Sequence, residues 1–211
     1  MEKVTVINGV AAPLPIVNVD TDVIIRIEHL SRSPREALGR WGFAARRFLP
    51  DGSENPDFIL NRAGWRDAPI LVTGRNFGCG SSREHAVWAL LGMCLRCVIA
   101  PSFGDIFRSN CFQNGLLPVT LPEATVHRLF TALGGSRPAS PRSMTVSLVD
   151  CTVETPDGER LPFEIEARRR EALLLGLDEI GQTLAMADRI DAWQASDRQR
   201  RPWVWQAGQG A

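Results

Sequence analysis

The chain has no excess of charge, no long apolar run, no secretory leader pattern and no metal-ligand motif, and each absence removes a class of function. Its 24 basic side chains balance 24 acidic ones, so no general cationic surface for nucleic acid or an anionic membrane is expected. No stretch approaches the ~20 apolar residues of a membrane span. The amino terminus, MEKVTVINGV, lacks a basic region followed by an apolar stretch. Five cysteines, an odd number at uneven spacing, point to reduced thiols and a cytoplasmic location. There is no cysteine trio at iron–sulfur spacing, and three scattered histidines offer no zinc site. No internal repeat is present, and the one small-residue linker is Gly134 to Pro141.

What remains is an ordinary globular composition, 44% hydrophobic over 211 residues. That is enough for one good core, so a single domain over 1–211 is expected. A tail from about residue 199 carries Arg200, Arg201, Trp203 and Trp205. It reads as solvated and partly disordered, with partner docking as the alternative because exposed Trp and Arg are enriched at interface hot spots.

One run organises the chain: ILVTGRNFGCGSSREHAVW, from Ile70 to Trp88. A buried strand feeds a loop with Gly74, Gly78 and Gly80, and an apolar run of helical period follows. Ser81-x-x-Glu84 has the spacing of a capping box, which predicts a helix starting at Ser81 or Ser82. A strand, a glycine loop and a helix start together make an anion site, because free amides and the positive helix end converge there. Arg83 adds a planar fork of donors suited to a carboxylate or phosphate. The loop is not a Walker A, since no Gly-Lys-Ser/Thr follows, and it lacks the third glycine and ribose acid of a dinucleotide fingerprint. Cys79 and Arg83 are too close for a phosphatase loop.

Elsewhere the chain alternates strands and helices. Val4 to Ile7 opens a strand, and Asp20 and Asp22 flank Thr21 on a loop entering Val23-Ile24-Ile25, where aspartate is common in turns and caps. Ser31 to Ala45 should begin as a helix with Pro34 in its first turn and end near Gly39 or Gly42. Asp57 to Asn61 reads as a helical turn. Cys94-Leu-Arg-Cys97 lies where a helix closes and a strand opens; thioredoxin-like pairs sit at helix starts instead, so these read as small buried residues. Pro101 to Asn114 is expected to be a helix with Phe103, Ile106, Phe107 and Cys111 on one face and Gly115 as its cap. The succession of strand–helix–strand units predicts a small parallel sheet. After a helix over Pro122 to Leu133, Met144 to Thr155 and Arg160 to Ile165 read as a hairpin around Thr155-Pro-Asp-Gly158. Helices over Arg168 to Leu175 and Met186 to Arg198 follow.

NFGCGSSREHA, together with NVDTD at Asn18 to Asp22 and VIAPSFGDIFRSNCFQNGLLPV at Val98 to Val119, resembles the swivelling domain of the aconitase superfamily. Order and spacing are similar to the stand-alone small subunits of bacterial 3-isopropylmalate dehydratase, over about Val19 to Ala192. The resemblance implies an α/β fold, a three-layer β/β/α swivelling domain with a parallel sheet and a second, antiparallel layer. It implies Ser81 as catalytic base, with Ser82, Arg83, Asp22 and Gly80 binding substrate. It implies Arg46, Arg47 and Phe48 as specificity residues, because the loop before the glycine run selects the substrate side chain in that family. His85 reads as support for the helix start.

Such chemistry needs a base, a clamp for a carboxylate and a Lewis acid. This chain supplies the first two, so it describes half an active site. By the resemblance it binds no metal or cofactor itself, and a [4Fe–4S] cluster is brought by its partner, a large subunit; the substrate is a small dicarboxylate. Val23 and Arg26 stand where the family commonly has glutamine and proline, and the Phe43–Phe48 stretch also departs from the usual continuation. A paralogue acting on citraconate, a dimethylmalate or homoaconitate would use the same catalytic set. Two other classes remain open: a carboxylate-binding module without catalysis, and a thiol enzyme using Cys79 or the Cys94/Cys97 pair.

Overall fold

The computed structural model describes residues 1–30, 34–135 and 137–205. They form two compact units, Met1–Gly176 and, to the last described residue, Leu177–Trp205.

The first unit is built on strand β1, Val6–Leu14. A single helical turn, α1 (Thr21–Ile24), and a second, α2 (Ala44–Arg47), precede β2, Ile70–Thr73. Helix α3 (Glu84–Gly92), β3 (Cys97–Ala100), α4 (Asp105–Asn114), β4 (Leu117–Thr120) and α5 (Glu123–Ala132) follow in strict alternation. Three short strands, β5 (Ser143–Ser147), β6 (Thr152–Glu154) and β7 (Arg160–Pro162), lead to α6, Ala167–Leu175. The strands form one sheet in the order β4-β3-β2-β1-β5-β6-β7. β1 is shared between two halves. Its Ala11–Leu14 end pairs parallel with β2, while its Val6–Val10 end pairs antiparallel with β5.

The expected parallel and antiparallel parts are therefore both present, joined edge to edge through β1. β2 and β3 are buried at every position, as parallel strands covered on both faces must be. Leu71, Val98 and Ala100 face one core with Leu38, Phe43, Phe77, Ala86, Leu90 and Phe107. Val72, Ile99 and Val119 face the other, shared with Val126 and Leu129 of α5 and with Met144, Val146, Val153 and Leu161 of the antiparallel half. Because both sheet halves feed this second core, the antiparallel half curls over the parallel one. The result is the helix, parallel and antiparallel layering expected.

Several local expectations are corrected. Arg35–Trp41 winds as a 3-10 helix starting after Pro34; residues 31–33 of the expected helix lie outside the described residues. Met144 to Thr155 is not one strand, because Ser147 Oγ donates to Asp150 Oδ2 at 2.7 Å and accepts from the Asp150 amide at 3.1 Å, folding a turn between β5 and β6. Ile106 is exposed rather than packed beside Phe107.

The second unit holds α7 (Glu179–Leu184), α8 (Ala187–Arg200) and α9 (Pro202–Trp205). Helix α7 was not apparent in the sequence pattern; Asp178 caps it, accepting from the Gly181 amide at 2.7 Å. Of the tail from about residue 199, the described part comprises the end of α8 and the turn α9. Asp197, almost fully buried, accepts from Arg201 Nε at 2.8 Å, Arg201 Nη2 at 2.9 Å and Trp205 Nε1 at 3.1 Å. These donors, Arg201 foremost, hold its carboxyl below the usual range, and Arg198 stacks over the Trp205 ring at 4.7 Å.

The helix layer depends on one close approach. A methyl placed on Gly39 would lie 2.3 Å from the carbonyl carbon and oxygen of Gly92, so the 3-10 helix and the end of α3 meet backbone to backbone. Gly39→Ala is expected to destabilise the unit by about 2 kcal/mol, lowering the thermal midpoint by roughly 4–8 °C. Thermal denaturation followed by circular dichroism reads this directly; an unchanged midpoint would mean that the two elements separate freely.

Candidate functional site

After β2 the glycine run does not wander as a loop. It is held between two neighbouring segments by a series of backbone bonds. On one side, Gly74 N donates to Ile16 O at 3.1 Å, Asn18 N to Arg75 O at 2.9 Å, Gly78 N to Val19 O at 2.7 Å and Thr21 N to Cys79 O at 3.0 Å. On the other, Phe77 N donates to Ser102 O at 3.1 Å and Gly104 N to Phe77 O at 2.9 Å, while Ser102 Oγ accepts from the Asn76 amide at 2.9 Å. Asn18 and Asn76 both adopt left-handed backbone, which asparagine tolerates better than most residues, and their side chains meet at 2.9 Å. Phe77 is fully buried, with its ring 5.5 Å from Phe107 and 6.5 Å from Phe103.

This arrangement brings the NVDTD segment against the helix start. Asp20 caps α1, accepting from the Val23 amide at 2.7 Å. Gly80, Ser81 and Ser82 are exposed, and Gly80 takes a left-handed φ of +91°. Arg83 sits at the cap position of α3 with no side chain capping the helix, so the first amides have no intrahelical partner and the positive end of the dipole is uncovered. The Arg83 guanidinium forms an ion pair with the Asp22 carboxylate. Arg83 is 17% exposed and Asp22 56%; the cation is sunk into the site and its partner lies on the outside. Ser81, Ser82, Arg83, Asp22 and Gly80 are thus together at one accessible spot.

The expected capping box is not formed. α3 begins at Glu84, not at Ser81 or Ser82. Glu84 is drawn sideways instead, accepting from Asn114 Nδ2 at 2.8 Å. Asn114 Oδ1 in turn accepts from Trp88 Nε1 at 2.8 Å and Arg35 at 3.1 Å, and Arg35 also stacks over the Trp88 indole at 4.6 Å. This network ties α3 to the end of α4 and leaves both serines free of capping duty. Asn114 precedes the left-handed Gly115 and looks in sequence like an ordinary helix end, so no local signal could have revealed it. His85 packs against Trp88, with ring centroids 4.7 Å apart.

The three expected specificity residues divide. Arg47 is committed to the scaffold: Nε donates to Asn61 Oδ1 at 3.0 Å and Nη1 to the Gly39 carbonyl at 3.1 Å, and burial lowers its pKa. Arg46 is exposed and, with Phe48, lines an open groove of about 510 Å³ whose walls include Leu14, Ile16 and Phe58. The stretch is attached to the site through α1, since the Phe43 amide donates to Ile24 O at 2.8 Å. Val23 packs partly against the core, and Arg26 pairs with Glu28 at 3.4 Å.

The thiols form no functional cluster among the described residues. Cys97 and Cys111 are fully buried, and burial pushes both thiols well above their usual range. Cys94 is exposed and Cys79 half-buried, so only one member of the C-x-x-C pair matches the expectation of a buried residue. No three His, Cys, Asp or Glu side chains among the described residues converge on a point that could hold a metal ion.

Known proteins resemble the chain over nearly its whole length. Residues 1–124 match the aconitase C-terminal domain family, and residues 179–204 match the C-terminal domain family of 3-isopropylmalate dehydratase small subunits. The chain is 52% identical to the 3-isopropylmalate dehydratase small subunit of Rhodospirillum rubrum, over 97% of each chain. It is 53% identical to that of Rhodospirillum centenum, covering 97% of this chain and 99% of the relative, and 49% identical to that of Paracoccus denitrificans, covering 97% and 100%. The crystal structure of a 3-isopropylmalate dehydratase from Methanocaldococcus jannaschii shares the fold, with a TM-score of 0.65 over 90% of this chain and 99% of that one, at 24% identity.

The thiol environments predict a sharp order of reactivity. Iodoacetamide at pH 8 is expected to modify Cys94 first and Cys79 more slowly, and to leave Cys97 and Cys111 untouched until denaturant is added. Peptide mass spectrometry would read the order, and early labelling of Cys97 would contradict its burial.

Proposed function

This chain belongs to the family of 3-isopropylmalate dehydratase small subunits, and from that premise we propose that it is one half of a heteromeric hydro-lyase interconverting 2- and 3-isopropylmalate by dehydration and rehydration in leucine biosynthesis. The observation that carries the reading is the pairing of Arg83 with a carboxylate, that of Asp22, at an uncapped helix start beside two exposed serines. A guanidinium so placed is suited to exchange that carboxylate for one of a dicarboxylic substrate.

On this reading Ser81 is the base. It takes the proton from the carbon next to a substrate carboxylate, and the neighbouring amides and dipole stabilise its alkoxide form. Arg83 holds the carboxylate, whose resonance accepts the charge developing on that carbon. Ser82 donates a hydrogen bond to the substrate, Asp22 holds Arg83 in place until the substrate carboxylate replaces it, and Gly80 lets the substrate approach the backbone. In the rehydration half Ser81 returns the proton on the other regiochemical course.

The departing hydroxyl needs a Lewis acid. The donor set of this chain does not fit a cluster, since its two most buried thiols lie inside the two cores and no ligand trio converges among the described residues. We assign a [4Fe–4S] cluster to a large subunit, where it supplies that Lewis acidity. We place the enzyme in the cytoplasm, acting on a small soluble acid; no described helix is long and apolar enough to cross a membrane. The exposed Arg46 beside an apolar groove is our candidate for reading the substrate's far end.

Reconstitution with a cluster-bearing large subunit tests the proposal. Ser81→Ala is expected to lower kcat about 10³-fold while the heterodimer still forms on size-exclusion chromatography. Arg83→Lys keeps the charge but loses the fork, and is expected to raise KM roughly tenfold or more. Parallel assays with isopropylmalate, citraconate, dimethylmalate and homoaconitate fix the substrate; turnover of none of them would end the dehydratase reading.

A further inference from the structure

Thr21 lies between the two aspartates of the NVDTD segment, and neither capping nor ion pairing accounts for it. It is 1% exposed, an uncommon place for a hydroxyl unless its hydrogen bonds are met. They are met by the glycine run. The Thr21 amide donates to Cys79 O at 3.0 Å, and Thr21 Oγ1 donates to Ser81 O, also at 3.0 Å. One residue therefore grips the carbonyls on both sides of Gly80.

That grip fixes more than two carbonyls. In a planar trans peptide the N–H points opposite to the C=O of the same unit. The Cys79 carbonyl shares its plane with the Gly80 amide, and the Ser81 carbonyl shares its plane with the Ser82 amide. With both carbonyls drawn inward to Thr21, both amides are turned outward, to the exposed face that Ser81 and Ser82 occupy. The φ of +91° at Gly80 permits this double turn; a methyl there would make ordinary contacts, 3.4 Å from Asp20 Cβ and 3.9 Å from Thr21 Oγ1, but in a backbone conformation strained for any L side chain. Thr21 is itself held firmly, since its carbonyl accepts from the Ile25 amide at 2.9 Å and Asp20 caps the turn it begins. Branching at Cβ restricts χ1 and helps keep the hydroxyl aimed at Ser81.

We propose that Thr21 is a positioning residue for the reaction: by binding the carbonyls of Cys79 and Ser81 it aims the Gly80 and Ser82 amides at the place where Ser81 acts. The inference rests on Ser81 being the base. Preoriented donors stabilise a developing anion because they need no reorganisation when charge appears. Loss of the Thr21 hydroxyl frees the Ser81–Ser82 peptide to rotate, so the Ser82 amide no longer faces the site at no cost.

The test compares Thr21→Val and Thr21→Ser in the reconstituted heterodimer, with Ser81→Ala alongside. Thr21→Val keeps the shape and the main-chain bond but removes the bond to Ser81. It is expected to lower kcat roughly 10- to 100-fold, with KM changed less than about threefold, and to move the acidic limb of the kcat–pH profile to higher pH, because the alkoxide form of Ser81 is then less stabilised. Thr21→Ser restores the hydroxyl and is expected to hold kcat within about threefold of the parent enzyme. Should Thr21→Val not assemble, Thr21→Cys, with a weak donor of similar size, is expected to give an intermediate kcat and a partly shifted limb. Thr21→Val or Thr21→Cys with the parent kcat and pH limb, even with a lowered thermal midpoint, overturns the inference while Ser81→Ala inactivity leaves the base assignment standing. An active Ser81→Ala enzyme overturns the base assignment itself.

Discussion

The backbone pairing of the glycine run with its two neighbours is the constraint on which the site depends. A stretch with three glycines in seven residues carries a high conformational entropy, and by itself would populate many shapes. Here it is flanked by Ile16 to Thr21 on one side and by Ser102 to Gly104 on the other, each exchanging main-chain hydrogen bonds with it. The glycines allow that close lateral approach, and the bonds remove the freedom the glycines would otherwise confer. The face proposed to be reactive is thereby held at the end of a fixed run, which is what a site needs if its donors are to be in place before charge develops.

From that ribbon the rest of the first unit follows as support. β1 supplies the segment before α1 and pairs with β2, so the two elements that meet at Arg83 and Asp22 leave adjacent parallel strands on the same side of the sheet. The α3–α4 network around Asn114 holds the helix start from behind. Gly39 and Gly92 let the 3-10 helix lie directly on the end of α3. The antiparallel half closes the second core without touching these contacts through any described bond to Ser81, Ser82 or Arg83. Site and scaffold are thus separable in the chain, though they share β1.

Much of this was legible in the sequence because local pattern and tertiary role coincide. The apolar runs of β2, β3 and β4, the glycine that stops α4, and the Thr155–Gly158 turn each say the same thing locally and globally. The capping box failed for an instructive reason: Ser81 and Glu84 have the right spacing, but Asn114, thirty residues on, competes for the Glu84 carboxylate. The break at Ser147–Asp150 was hidden because Val149 and Cys151 keep a strand-like composition across a turn closed by side chains. The role of Thr21 could not be read at all, since it depends on carbonyls far along the chain, that of Ser81 being 60 residues away. Arg46 and Arg47 are adjacent and chemically identical, yet only packing separates the anchored one from the exposed one.

The ion pair between Arg83 and Asp22 has a consequence for how any acid would arrive. With Asp22 already on the guanidinium, the pocket carries a resident counter-ion, and on the proposed reading an incoming carboxylate would enter by exchange instead of by simple neutralisation. The resident pair is neutral as a whole, so the approach of an acid would draw little help from long-range attraction and lose little to added salt. Selectivity under such a regime is set by what the newcomer offers beyond a single carboxylate: a second acidic group, a hydroxyl, or a shape that the displaced aspartate cannot match.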